Sequence, residues 1–110
     1  MARELTDAGF RKVAGRFRLL ADPARLKVLY LLRQRDQLTV GETAEALGCS
    51  QPQASRQLAQ LHRAGILRRQ QLGNTVRYSV ADPSVFELCE TVCGGLEGGE
   101  TPQYFKPEHD

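Results

Sequence analysis

Apolar residues recur at helical spacing from the start of the chain. Phe10, Val13, Ala14, Phe17 and Leu20 fall on one face behind Thr6 and Asp7 as candidate caps, which predicts a first helix over about residues 6–20. Ala21-Asp22-Pro23 breaks it. Pro23 suits the first turn of a new helix with Asp22 as its N-cap, and Leu26, Val28, Leu29, Leu31 and Leu32 make that second helix apolar on most sides. It is expected to be central and buried.

Thr39 precedes Val40, Thr43, Ala44 and Leu47 at i, i+3, i+4 and i+7, with Glu42 placed as in a capping box and Gly48 as a stop. A fourth helix starts at once. Ser50 is its natural N-cap, Pro52 lies in its first turn, and Ala54, Leu58 and Leu61 form an inward stripe that runs to Ala64-Gly65. The outward positions are then Gln51, Gln53, Arg56, Gln57 and Gln60. Two short helices joined by a tight glycine turn, the second presenting amides and an arginine, have the layout of a helix-turn-helix with a recognition helix.

Ile66 to Gln71 and Val76 to Val80 flank Leu72-Gly73-Asn74-Thr75, and the second run alternates strictly, which predicts a β-hairpin or wing. Asp82-Pro83 opens a last helix in which Val85, Leu88, Cys89, Val92 and Leu96 form one stripe, ended by Gly94-Gly95 and Gly98-Gly99. The Gly, Pro and acidic content after that predicts a mobile tail over 98–110, leaving 1–97 as one DNA-binding and dimerisation domain. The fold class is mostly α with a small β-hairpin, a winged helix-turn-helix.

Charge sharpens this picture. The net charge of +2 over 110 residues divides into +3 for residues 1–49, +5 for 50–80 and −6 for 81–110. The middle block contains five arginines and no carboxylate, a plausible footprint for a polyanion, although a basic solvated surface would look the same by charge alone. Gln51, Gln53, Ser55 and Arg56, with Ser50 beside them, are the candidate readers of base edges, since Gln matches adenine and Arg matches guanine in the major groove. Arg68, Arg69 and Arg77, with Asn74 at the wing tip, are candidates for phosphate or minor-groove contacts.

Chain length and a composition of 41% hydrophobic and 25% charged residues fit one ordinary globular domain. No apolar run is long enough for a membrane span or a secretory signal, so the expected setting is cytoplasmic, with no membrane partner. Cys49, Cys89 and Cys93 are an odd number in such a chain, and reduced thiols are expected.

Enzyme classes fit poorly. There is no Cys-x₂-Cys beside a βαβ unit, Cys49 has Ser55 six positions on where a phosphate loop needs Arg, and no paired-carboxylate or Ser/His/Asp pattern stands out. His62, expected on the flank of the recognition helix near DNA or solvent, and His109 in the tail lack ligand partners at metal spacing. A winged helix used only for protein contacts leaves the acid-free block unexplained.

The order of elements, together with LLADPARLKVLYLL (19–32), CSQPQASRQLAQLHRAGIL (49–67) and VRYSVADP (76–83), resembles the ArsR/SmtB family of bacterial metal- and thiol-responsive repressors over roughly residues 8–96. The resemblance implies a homodimer joined through its first and last helices, here Phe10, Val13, Phe17 and Leu20 with Val85, Leu88, Val92 and Leu96. Those two stripes are also a large apolar surface for a monomer of this size. Two-fold symmetry implies an inverted-repeat operator with half-sites about one helical turn apart, or a multiple of it.

The family's cysteine motif at the third helix falls on residues 37–44, where this chain has no cysteine, and of its last-helix zinc ligands only Asp82 is present. What remains is Cys89-x₃-Cys93, at about 40° and 80° from Val85 on a helical wheel and so on one face. Both can be small packing residues, although packing explains Cys93, nearer the edge, less well. As ligands, they would take a thiophilic inducer such as arsenite or antimonite, with a third thiol from Cys49 or from the other protomer. Cys49 itself reads first as a core plug in the turn and only second as a sensor thiol.

The rival is a redox or persulfide switch on the same thiols. The negative end of the helix dipole and Glu87, Glu90 and Glu97 disfavour the thiolate and lean toward the metalloid, whose coordination displaces the proton itself. No permanent cofactor is expected.

Overall fold

The computed structural model describes residues 4–93. Along these run α1 (Asp7–Leu20), α2 (Pro23–Arg35), β1 (Leu38–Thr39), α3 (Val40–Leu47), α4 (Gln51–Arg63), β2 (Leu67–Leu72), β3 (Thr75–Val80) and α5 (Ser84–Cys93). The expectations for Leu96 and for the 98–110 tail lie outside the described residues.

The helix starts follow the caps. Thr6, Asp22, Thr39 and Ser50 each accept a backbone N–H of the first turn through a side-chain oxygen, and α2 and α4 carry proline in that turn. At Thr39 and Ser50 the reciprocal bond from Glu42 or Gln53 is also made.

The core gathers Val28, Leu29 and Leu32 of α2, Leu58 and Leu61 of α4, Leu38 of β1, Ile66 just ahead of β2, Leu67 of β2, Tyr78 of β3 and Val85 of α5. Thr43 is the polar group among them, and its Oγ1 donates to the Thr39 carbonyl at 2.8 Å. Helix α2 is central, as its apolar count suggests, yet it is not buried all round. Leu26 and Tyr30 face outward at 39% and 45% exposure, because only the strip through Val28, Leu29 and Leu32 meets α4 and the sheet.

Two further differences concern the wing. The sheet has three strands in the order β1-β3-β2, with Leu38 opposite Tyr78 and Thr39 opposite Arg77. A two-residue strand has no periodicity to detect, and Thr39 ends it while capping α3. The hairpin also pairs closer to its tip than expected, joining Leu72 to Thr75 across the two-residue loop Gly73-Asn74, while Ile66 lies just ahead of β2. Gly73 has φ +63° and Asn74 does not share the positive φ, the pattern of a type II′ turn with glycine first.

Helix α1 has no fully buried side chain in the protomer, and only Leu19 and Leu20 at its end pack half-buried against the core. Phe10, Val13 and Phe17 are 58%, 40% and 55% exposed. In α5, Val85 enters the core and Leu88 and Cys89 are half-buried, whereas Val92 is 71% exposed. Arg33 of α2 fastens α5 by reaching Glu90 at 3.3 Å while its guanidinium lies over the Phe86 ring.

Asp36, which ends α2, has φ 70° and ψ −42°, and Gln37 N–H closes a short bond of 2.8 Å to the Arg35 carbonyl across it. This is a strained γ-turn for a residue with a Cβ. Asp36→Gly is expected to raise stability by about 0.5–1 kcal/mol, the relieved strain outweighing the entropy of the added glycine, as read by thermal or urea unfolding.

Candidate nucleic-acid interface

Helices α3 and α4 are set at their angle by the turn between them. Gly48 adopts φ +69°, its N–H bonds the Glu45 carbonyl and the Cys49 N–H reaches back to the Ala44 carbonyl at 3.0 Å. This double closure requires the left-handed conformation that glycine takes freely. Ser50 then starts α4 immediately.

Ala54, Leu58 and Leu61 are fully buried, so the opposite face of α4 is fixed as the outer one. Gln51, Gln53, Ser55 and Arg56, all sequence candidates, are exposed there within the first two turns, with Ser50 at their head. Ser50 and Gln53 have a prior engagement. The Ser50 hydroxyl accepts the Gln53 N–H and the Gln53 side-chain oxygen accepts the Ser50 N–H, each at 3.2 Å, which leaves the Gln53 amide N–H groups to face outward.

Gln57 and Gln60, expected to face outward with the others, do not. Both are half-buried and turned toward α2, where Arg25 Nε donates to Gln57 Oε1 at 2.8 Å and Arg25 Nη2 donates to Gln60 Oε1. Arg25 Nη1 also donates to the Leu19 carbonyl at 3.0 Å, and its backbone N–H is capped by Asp22. Nothing in the residue pattern singled out Arg25 as the partner of these glutamines. The one available signal was its place beside Asp22-Pro23, at the start of a helix facing the helix-turn-helix.

The pleat divides the wing arginines that the sequence grouped together. Arg68 and Arg77 lie on one face with Gln70, while Arg69 lies on the other with Leu67 and Tyr78. Arg68, Arg69 and Asn74 are exposed, and Arg77 is half-buried between the flanking strands. His62 is exposed at the end of α4, as expected, and also held in place. Its Nδ1 lies 3.0 Å from the Leu67 carbonyl, an acceptor, so Nδ1 carries the proton, and the ring meets Tyr78 edge-on at 6.4 Å. It ties the end of α4 to the wing.

Cys49 is half-buried in the turn and Cys89 half-buried against the core, while Cys93 closes α5. Among the described residues no three His, Cys, Asp or Glu side chains gather as a metal-ligand set. Asp82, the remaining family ligand, instead accepts the Ser84 hydroxyl and N–H at 2.5 and 3.1 Å. Those two bonds, with help from the Arg16 charge, hold its carboxyl below the usual range.

Residues 22–69 match the sequence profile of bacterial regulatory proteins of the arsR family. The structure is similar to that of the AntR antimony-specific transcriptional repressor, with TM-score 0.70 and 32% identity over 83% of this chain and 82% of that one. The chain belongs to the ArsR family of bacterial regulatory proteins.

This ArsR-family chain is also 44% identical over 80 residues to the arsenic resistance transcriptional regulator ArsR1 of Pseudomonas putida, a match covering 73% of it and 62% of the relative. The fold further resembles the homodimeric winged helix-turn-helix DNA-binding domain of Mb0332 from Mycobacterium bovis, with TM-score 0.72 and 27% identity over 93% and 98% of the two chains. The alignments with the first curated relatives span 63% of their own length. The fold of this ArsR-family chain is therefore a winged helix-turn-helix.

The capping box separates two roles that share Ser50. Ser50→Ala is expected to cost about 1 kcal/mol of stability in chemical unfolding, while the conservative Ser50→Thr keeps most of it.

Proposed function

We propose that this chain is a homodimeric, DNA-binding transcriptional repressor of the cytoplasm that leaves its operator when a thiophilic inducer binds. The observation that carries the DNA reading is the acid-free 50–80 block. It folds into α4 and the wing, and so presents exposed Gln51, Ser55, Arg56, Arg68 and Arg69 with no carboxylate among them. Gln51, Gln53, Ser55 and Arg56 read bases; Arg68, Arg69, Asn74 and Arg77 engage the backbone or minor groove.

The exposed Phe10, Val13 and Phe17 face of α1 supports dimerisation, as does the homodimeric Mb0332 domain. This face, with Leu20, borders a cleft of about 150 Å³ against Val85 and Leu88 of α5, and a partner's helices would cover both. Among the described residues no helix is long and apolar enough to cross a membrane.

Footprinting on a duplex selected from a random-sequence library should show two symmetric half-sites about one helical turn apart, or a multiple of it. Arg56→Ala should weaken that duplex by about 1–3 kcal/mol and relax one base position in each half-site. A single unsymmetric site contradicts the dimer. Unchanged affinity and footprint remove Arg56 from the readers.

Cys89 and Cys93 are the proposed inducer ligands, completed by Cys49 or by a thiol of the other protomer, and the inducer is trivalent arsenic or antimony. Soft thiolates select soft centres, two thiols one helical turn apart can share one, and the resemblance to AntR and ArsR1 favours a metalloid. Arsenite or antimonite should release DNA from wild type and fail on Cys89→Ser and Cys93→Ser. Release by peroxide or persulfide alone would instead support a redox switch on the same thiols.

A further inference from the structure

Arg25 is the meeting point of three elements. Its guanidinium donates from Nε to Gln57, from Nη2 to Gln60 and from Nη1 to the Leu19 carbonyl in the last turn of α1. Gln57 and Gln60 stand three residues apart on α4, so one rigid fork grips two successive turns of the helix along the flank between its buried stripe and its outer face. A contact at one point would let α4 roll about its axis. Two contacts spaced along the helix oppose both roll and tilt, and the third anchors the fork to the helix that carries the exposed Phe10, Val13 and Phe17 face. The apolar stripe of Ala54, Leu58 and Leu61 supplies most of the burial energy, but apolar packing tolerates small rotations that directional bonds to a planar guanidinium do not.

We propose that Arg25 is a positioning residue for DNA specificity, which sets the rotation of α4 through Gln57 and Gln60 so that Gln51, Ser55 and Arg56 meet base edges in register. The inference rests on the DNA-binding reading above. It assigns Gln57 and Gln60 to the inner clamp and removes them from the reading face. A lysine cannot replace the arginine, because an ammonium on a flexible stem offers no fixed fork for three acceptors in different directions.

The test compares affinities for the library-selected duplex and for mixed-sequence duplex across a salt series, using the full chain. Arg25→Lys and, separately, Gln57→Leu/Gln60→Leu should each lower the ratio of selected to mixed-sequence affinity by about tenfold or more, with mixed-sequence binding and the salt slope unchanged. Adding Arg25→Lys to the double glutamine variant should lower the ratio little further, since both changes break the same clamp. Gln57→Glu, which keeps an acceptor for the fork, should retain most of the ratio.

Arg25→Lys with a wild-type ratio overturns the proposal. So does an equal loss on both duplexes with a salt slope reduced by about one, which marks a direct phosphate contact. If arginine loss merely loosens the fold, the Gln57→Leu/Gln60→Leu variant, which leaves the Leu19 anchor in place, keeps the wild-type ratio, and that also overturns it. A wild-type chain that binds no duplex at all overturns the DNA reading itself, a result distinct from any of these.

Discussion

Burial of Ala54, Leu58 and Leu61 decides which face of α4 is free. Each buried leucine contributes about 1.5–3 kcal/mol relative to exposure, more than any single polar contact nearby, so the helix cannot present another side without losing its place in the core. Everything at the candidate interface inherits that orientation. The capping box at Ser50 fixes where the helix begins, the left-handed Gly48 fixes the direction from which it is entered, and the His62 bond to Leu67 fixes how the wing leaves it.

The chain keeps its chemistry in separate territories. Positive charge is concentrated in the segment that folds as α4 and the wing, and the acidic surplus follows from residue 81 onward. Long-range attraction would therefore draw a polyanion to the same part of the molecule that carries the directional amides and Arg56. Cys49 lies in the turn and Cys89 on α5, and α1 turns part of its apolar face to the cleft it shares with α5.

Much of the fold was legible because local and global signals agree. Thr39, Ser50, Gly48 and the 3.6-residue stripes locate the helix-turn-helix without reference to distant residues. The misses have physical causes. Leu26 and Tyr30 look like core in a list of apolar positions, but only packing partners decide which sides of α2 are covered. Gln57 and Gln60 look like surface on a helical wheel, because the arginine that engages them is 32 and 35 positions away. Strand β1 is too short to have a period. The wing arginines were grouped by charge, whereas the pleat sends Arg69 to the opposite face from Arg68 and Arg77.

The central claim is that α4 and the wing form one rigid DNA-facing surface. Its most direct test is an NMR titration of the ¹⁵N-labelled chain with the library-selected duplex. The account predicts that backbone and side-chain amide shifts concentrate at Gln51, Gln53, Ser55, Arg56 and the 68–77 hairpin, while the side-chain amides of Gln57 and Gln60 keep their positions. Shifts centred on the outer face of α2 around Leu26 and Tyr30, with the α4 N-terminus unmoved, would contradict it.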